Sequence, residues 1–308
     1  MEPSISVIIP ARDAAATLAK TLASVRAQTV RPSRVLVIDD GSTDRTRDVA
    51  SSHGADVEIF AGPGGGAAAA RNVGLRAADT DHVALLDADD RWQPWFLAEA
   101  QALLARYPKA PAAFLSASVV DDDGRPIGAH SMPDGLLSLR ELALGRHVPT
   151  TSATVLRRVP ALQVGGFYED LRRAQDLDLW FRLAELAPCA GSHRVSATYV
   201  VHEARDRSRT SAELLALERD RELVVRRLAE RGHDPAISRR ATAIMRARTA
   251  RYWLLAHEAR DARRLARRSI VAAPTLEGAL TLAAACLPRG PREAARSARR
   301  RHRVRRAT

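Results

Sequence analysis

Four short runs rich in β-branched and aliphatic residues, with helical stretches between them, constrain this chain more than any other feature. Ile5-Ser6-Val7-Ile8-Ile9-Pro10, Val35-Leu36-Val37-Ile38, Val57-Glu58-Ile59-Phe60 and His82-Val83-Ala84-Leu85-Leu86 read as strands. From about Ala14 to Gln28, Leu18, Leu22 and Val25 recur at helical spacing. A second helix is predicted from about Thr43 to His53, closed by Gly54, and an alanine-rich one runs to about Ala78. Near-continuous apolar runs suit strands covered on both faces, and this strand–helix spacing builds βαβ units. The expectation is an α/β fold around a largely parallel central sheet.

Ligands in such sheets bind beyond the carboxyl ends of the strands. Two of the runs deliver acidic clusters there, Asp39-Asp40 and Asp87-Ala88-Asp89-Asp90. Adjacent carboxylates repel one another and need a counter-charge. Some of them can serve turns and helix caps, the roles expected for Asp44 and Asp40. Two clusters at strand ends nevertheless point to a metal or polyol site. Asp121-Asp122-Asp123-Gly124 reads as hairpin-turn chemistry. Asp176 and Asp178 open an amphipathic helix, Gln175 to Glu185, where the helix dipole favours negative charge and a structural role is as good an account as a chemical one.

After residue 100 the alternation weakens. Phe114 to Val120 and Thr150 to Leu156 look like strands, and Gly165-Gly166-Phe167 is a turn. Helices are predicted from about Ala212 to Arg231, Ile237 to His257 and Ala259 to Ala272, followed by a short apolar stretch, Leu276 to Leu287. The net charge of +12 is unevenly spread: residues 1–210 carry 24 basic and 26 acidic side chains (−2), residues 211–308 carry 24 and 10 (+14). Nine arginines against one glutamate fall in residues 289–308. This describes a near-neutral globular unit with a cationic tail, and without interleaved aromatic residues the tail does not suit nucleic acid.

A hydrophobic fraction of 46% supports a sizeable core and excludes a disordered chain. Cys189 and Cys286 stand far apart, which leaves no disulfide framework or zinc ribbon. No leader-like segment and no apolar run of about 18 residues is visible, so the expectation is a cytoplasmic protein. The short apolar stretch and the arginine run together suggest reversible attachment to an anionic membrane surface.

Taken in order, Ser6-Val7-Ile8-Ile9-Pro10, Leu22-Ala23-Ser24-Val25 with Gln28, Val37-Ile38-Asp39-Asp40-Gly41-Ser42-Thr43-Asp44, Ala70-Arg71-Asn72-Val73-Gly74-Leu75, Leu86-Asp87-Ala88-Asp89-Asp90, Gly165-Gly166-Phe167 and Gln175-Asp176-Leu177-Asp178-Leu179-Trp180 resemble the family 2 glycosyltransferases. The resemblance covers about residues 4–208. It implies a GT-A fold over residues 1–208, with a nucleotide-sugar half (1–100) and an acceptor half (101–208). A helical region (209–288) and a disordered basic tail (289–308) would follow.

The implied activity is inverting transfer from a nucleoside-diphosphate sugar, a UDP-sugar favoured, to a carbohydrate or glycolipid hydroxyl. By the same resemblance Pro10, Asp39, Arg71 and Asp87 would bind the nucleotide-sugar, and Asp89 of the Asp-x-Asp motif would hold Mn²⁺ or Mg²⁺. His202 would help at the metal or diphosphate, and Asp176 would be the general base. Gln175 stands where the family usually has glutamate, and the Gly62-Pro63-Gly64-Gly65-Gly66 loop is richer in glycine than the family pattern.

That loop, continued by Ala67, also satisfies the dinucleotide-binding fingerprint G-x-G-x-x-[GA] after a strand and before a helix. An NAD(P)-dependent oxidoreductase is therefore one alternative. A non-catalytic binding protein on a transferase-like scaffold is another.

Overall fold

The structure is a computed structural model that describes residues 3–54, 56–145, 147–202, 210–256 and 258–287. Its first three strands, β1 (Ile5–Ala11), β2 (Arg34–Asp39) and β3 (Val57–Ala61), alternate with α1 (Leu18–Arg26), α2 (Thr46–Ser51) and α3 (Ala67–Ala77). Then come β4 (His82–Leu85), β5 (Arg91–Trp92), α4 (Phe96–Arg106), β6 (Ala112–Val120), β7 (Pro126–His130), β8 (Gly135–Leu137) and α5 (Leu139–Ala143). A 3₁₀ turn, Thr151–Ala153, leads into β9 (Thr154–Arg157), followed by α6 (Arg158–Gln163), α7 (Gln175–Leu186) and β10 (Cys189–Val200). The helices α8 (Ser211–Glu230), α9 (Pro235–Leu255), α10 (Ala259–Ala272) and α11 (Leu276–Cys286) complete it.

One mixed sheet carries the strands in the order β3-β2-β1-β4-β9-β6-β10-β5, with β7 beside β6 and β8 beside β10. β3, β2, β1 and β4 are parallel, and β9 enters antiparallel between β4 and β6. β1 takes a central place because Ile5, Val7, Ile8 and Ile9 are all buried, leaving no solvent face. α3 lies close on β1 because Gly74 leaves room: a Cβ there would meet Ile8 Cγ2 at 2.6 Å. This is the α/β fold followed by helices that the GT-A resemblance implies; the parallel pairing expected from the strand–helix alternation holds for β3, β2, β1 and β4, and β9, β6, β10, β5 and β8 add antiparallel pairs that make the sheet mixed.

Two helices are shorter than their periodicity suggests. α1 starts at Leu18 because Ala14 gives its N–H to Thr46 Oγ1 at 2.7 Å, tying the loop to the next one. α2 starts at Thr46 because the Thr43 N–H and hydroxyl both go to Asp13 Oδ1, at 2.8 and 3.1 Å.

The chain divides into two compact units. The first comprises Met1–Val119, Ala129–Leu139 and His147–Val200; the second comprises Val120–Gly128, Arg140–Arg146 and Val201–Thr308. In the second, Leu214, Ala250, Trp253, Ala262, Leu265, Ala266 and Ala285 form a helical core. Arg264 forks onto Glu218 with two 2.9 Å hydrogen bonds, and α8 opens with a capping box of Thr210 and Glu213. Among the described residues no helix is long and apolar enough to cross a membrane. The predicted basic tail, 289–308, lies outside the described residues.

Candidate active site

The carboxyl ends of β2, β1 and β4 lie side by side in the first unit, and the residues that follow them supply the acidic side chains. Ala11 pairs with Asp39 across β1 and β2, and Ile8 with Leu85 across β1 and β4. The ladder runs on past the strands: Asp40 N–H donates to the Ala11 carbonyl at 2.8 Å and Leu86 N–H to the Ile8 carbonyl at 3.1 Å. Pro10, Asp39 and Asp87 thus issue from three adjacent strand ends.

The clustered aspartates have separate tasks. Asp40 is buried, with Oδ1 accepting the Gly64 N–H at 2.8 Å and Oδ2 the Gly66 N–H at 2.6 Å. Gly62 packs so tightly on it that a Cβ would meet Asp40 Oδ1 at 2.7 Å, and Gly66 sits at φ +90°. The glycine loop is therefore folded around one carboxylate. The two N–H groups that a dinucleotide fingerprint would turn towards a pyrophosphate are taken by Asp40.

Asp90 is also internal. At 1% exposure it accepts the Val200 N–H at 2.8 Å on Oδ1 and the Ser152 hydroxyl on Oδ2. Burial, with the charges of Asp87 and Asp89 added, pushes its pKa well above the usual carboxylate range. Ser152 also accepts the Asp87 N–H at 3.1 Å, and its carbonyl accepts Trp92 Nε1–H at 2.6 Å. One buried serine thereby holds both ends of the Asp87–Asp90 turn, and nothing in the sequence singles it out.

Asp39, Asp87 and Asp89 remain. Asp39 is buried, with Oδ1 accepting the Ser42 N–H at 3.1 Å and Oδ2 lying 3.7 Å from Arg47 Nη1. Asp87 and Asp89 are half-buried. Asp87 Oδ1 accepts from Arg71 Nη2 at 2.5 Å. Arg71 itself is only 3% exposed, 5.5 Å from the Phe167 ring centroid, and its Nε and Nη1 have no protein partner. Unpaired N–H groups on a buried cation are costly, about 1–3 kcal/mol each or more, unless a ligand or water completes them.

Asp176 comes to the same place from the other half of the unit. It is half-buried in the first turn of α7, with Thr151 Oγ1 at 3.5 Å from Oδ2 and the Leu177 N–H at 2.8 Å from Oδ1. Burial raises its pKa; the Leu177 N–H and the Arg71 cation oppose that rise, and the Asp87 charge reinforces it. Gln175 Oε1 beside it is buried without a protein partner. Ala174, which precedes the helix, sits at φ +56°, a left-handed conformation unusual for alanine.

Two residues with no predicted role fix this geometry. Asn72 donates to the Phe167 carbonyl and to Glu169 Oε1, both at 2.8 Å, and accepts the Phe167 N–H at 2.8 Å. Arg182 pairs with the fully buried Asp178 at 2.7 Å and donates to the carbonyls of Val164 and Gly166 at 2.5 and 2.7 Å. Asp178 is thereby committed to structure. Both clamps hold the Gly165-Gly166-Phe167 turn, which joins α3 to the approach to α7.

The first unit therefore gathers Pro10, Asp39, Arg71, Asp87, Asp89 and Asp176. His202 lies in the second unit, where Nδ1 is 2.5 Å from Asp122 Oδ1. Among the described residues no group of three or more His, Cys, Asp and Glu side chains forms a ready metal cage.

Comparison with known proteins identifies the family and the fold. Residues 6–164 match the family model described as glycosyl transferase family 2. An uncharacterized glycosyltransferase of Rickettsia typhi is 26% identical over 215 residues, covering 66% of this chain and 65% of the relative. The pre-mycofactocin glycosyltransferase of Mycobacterium tuberculosis is 32% identical over 192 residues, 59% of this chain and 39% of the relative. The chain thus spans less than two thirds of the length of these relatives. Among solved structures, S. aureus TarS 1–349 in complex with UDP superposes with a TM-score of 0.57 at 15% identity, covering 96% of this chain and 92% of that one. The same TarS fragment in complex with UDP-GlcNAc superposes equally well, with a TM-score of 0.57. At such identity the likeness speaks to the fold.

Proposed function

The chain belongs to glycosyl transferase family 2, and we propose that it moves a sugar from a nucleoside-diphosphate sugar to an acceptor hydroxyl with inversion at the anomeric carbon. The observation that carries this reading is the meeting of Arg71, Asp87 and Asp176. A buried guanidinium with two unpartnered nitrogens stands beside one carboxylate of the strand-end cluster, and a second carboxylate with a raised pKa arrives from the other half.

In this reading Pro10, Asp39 and Asp87 line the nucleoside and ribose, and Arg71 completes its hydrogen bonds on the bound nucleotide. A UDP-sugar is the favoured donor because the similar TarS fold is seen with UDP and UDP-GlcNAc. Asp176 takes the proton of the attacking hydroxyl. A base must be ionised yet basic enough to accept a proton, and burial of Asp176 moves its pKa in that direction. Its position at the α7 N-terminus keeps the anion tolerable.

A divalent cation suits the residues present. Mg²⁺ and Mn²⁺ take hard oxygen ligands, and such ions are commonly held by one or two carboxylates plus substrate phosphates rather than by an all-protein cage. Asp89, with Asp87 two residues before it, would offer that donor set, and a cation there would neutralise the negative charge that Asp87, Asp89 and Asp90 bring to one turn. When bound, the ion would stabilise the departing diphosphate. The reading assigns no role to His202, whose ring nitrogen faces Asp122. The acceptor is a carbohydrate or glycolipid.

The test is release of nucleoside diphosphate from UDP-, GDP- and dTDP-sugars with Mn²⁺, using water and simple glycosides as acceptors. One donor class should be consumed, and Asp176→Asn should lower the rate by about 10²–10⁴-fold while leaving donor binding nearly unchanged. Asp89→Asn should cost far more activity than Asp90→Asn. Turnover by Asp176→Asn at the wild-type rate would remove it as the base.

A further inference from the structure

We infer that α11 is an interfacial helix whose outward face lies on an anionic lipid surface. Its six exposed residues are Leu276, Ala279, Leu280, Ala283 and Cys286, with Leu287 at the C-cap, and every one is apolar. They recur at steps of three and four, so they form one continuous stripe. Leu276 is 76% exposed and Leu280 49%. The inward face is built from Gly278, Thr281 and Ala285, with Leu282 half-buried against the helical core. The helix is therefore apolar on its outward side as well as on the side that packs.

This orientation is anchored rather than accidental. Gly278 approaches α10 so closely that a Cβ would meet Ser269 Oγ at 2.8 Å, and the Gly278 N–H is capped by Thr275 Oγ1 at 3.0 Å. Arg263 Nη1 donates to the Ala285 carbonyl at 3.0 Å. Glu277, the one charged residue of the helix, is held by Arg251 at 3.5 Å and Arg248 at 3.7 Å. Rolling the helix to bury Leu276 and Leu280 would break these contacts, so the apolar stripe stays outward. Val271, at 87% exposure in the last turn of α10, adds a further aliphatic side chain to the exposed surface.

Charge selects the occupant. The sequence that follows the stripe, residues 289–308, carries nine arginines and one glutamate, and residues 211–308 carry +14 overall. A second copy would bring like charge to like charge, whereas an anionic leaflet offers acyl chains to the leucines and headgroups to the arginines. Each arginine near such a leaflet raises partitioning about fivefold. Eleven residues of helix reach only about 16 Å, too short for the hydrocarbon core, so the helix lies in the interface plane. This inference is independent of the transfer reading, because partitioning is measured without a donor.

The experiment is co-sedimentation of the full chain with vesicles of phosphatidylcholine containing phosphatidylglycerol, against phosphatidylcholine alone, with size-exclusion chromatography in parallel. Wild type should partition at least tenfold better onto the anionic vesicles and lose most of that in high salt. Leu276→Gln with Leu280→Gln, at exposed positions and with circular dichroism unchanged, should weaken binding at least tenfold. Arg299→Glu, Arg300→Glu and Arg301→Glu together should abolish the preference for anionic lipid. Undiminished binding of the leucine variant would overturn the helix's role, as would no wild-type partitioning at low salt. A wild-type dimer that the leucine variant dissociates, without vesicle binding, would assign the face to a second copy instead.

Discussion

Asp176 and Asp90 are both carboxylates with raised pKa values, and their surroundings separate them. Asp90 is enclosed and bonded to Ser152 and Val200, while Asp176 stands half-buried beside Arg71 and Asp87. If Asp176 is the base, the ionised form is active, and the acid limb of kcat/KM should lie above the range of an exposed aspartate, about 4. Asp87→Asn removes a charge that raises the Asp176 pKa, so the limb should move to lower pH; an unmoved limb would dissociate it from Asp176. Asp90 makes a prediction about stability. A carboxyl whose folded pKa exceeds its unfolded value stabilises the native state below the unfolded pKa. That contribution is lost as pH rises through the folded pKa. Asparagine cannot ionise, so the melting temperature of Asp90→Asn relative to wild type should rise between about pH 4 and pH 8 in metal-free buffer. A difference that falls with pH would contradict the assignment. The separate roles of these aspartates were only partly legible in the sequence. The strand ends pointed to the two acidic clusters as wholes and the family resemblance singled out Asp39, Asp87 and Asp89, but the burial of Asp90 depends on Ser152 and on the Val200 N–H, 62 and 110 residues away.

Elements bring the two halves of the first unit together, and the join is the Gly165-Gly166-Phe167 turn on α3. Asn72→Ala strips partners from the Phe167 N–H and carbonyl and should cost about 2–4 kcal/mol, read as a fall in denaturation midpoint. Gly166→Ala should be destabilising for a second reason: φ is +66° and the added Cβ would meet Asn72 Oδ1 at 2.6 Å. If either variant melts with the wild type, the clamp is not holding the turn. The parallel half was readable because β1, β2 and β4 are buried apolar runs. β10 was not, since Cys189-Ala190-Gly191-Ser192-His193-Arg194 has no apolar run to announce a strand. Its Gly191 is demanded by the Pro133 carbonyl, which a Cβ would meet at 2.5 Å, a contact made only in the folded sheet. β5, two residues long, gave no sequence signal either.

At the scale of the molecule, the two cysteines report on the two units separately. Cys189 is buried in β10, where desolvation pushes its thiol pKa up to about 12, and Cys286 is exposed on α11. A thiol-reactive dye should label one cysteine in the native protein and both after denaturation; rapid native labelling of Cys189 would show the sheet opening at β10. The helical run after the sheet was legible from its periodicity and glycine–proline stops, whereas the outward apolar stripe of α11 was not, because hydrophobicity alone cannot say which face packs. The central claim is that the strand-end cluster is built for a nucleoside diphosphate rather than a dinucleotide, and thermal melting tests it most directly. A saturating ligand that binds only the native state should raise the melting temperature by about 5–10 °C. The account predicts such a rise with one of UDP, GDP or dTDP in the presence of Mn²⁺, and its loss in Asp39→Ala. A rise with NAD alone, or none with any nucleoside diphosphate with or without Mn²⁺, would contradict it.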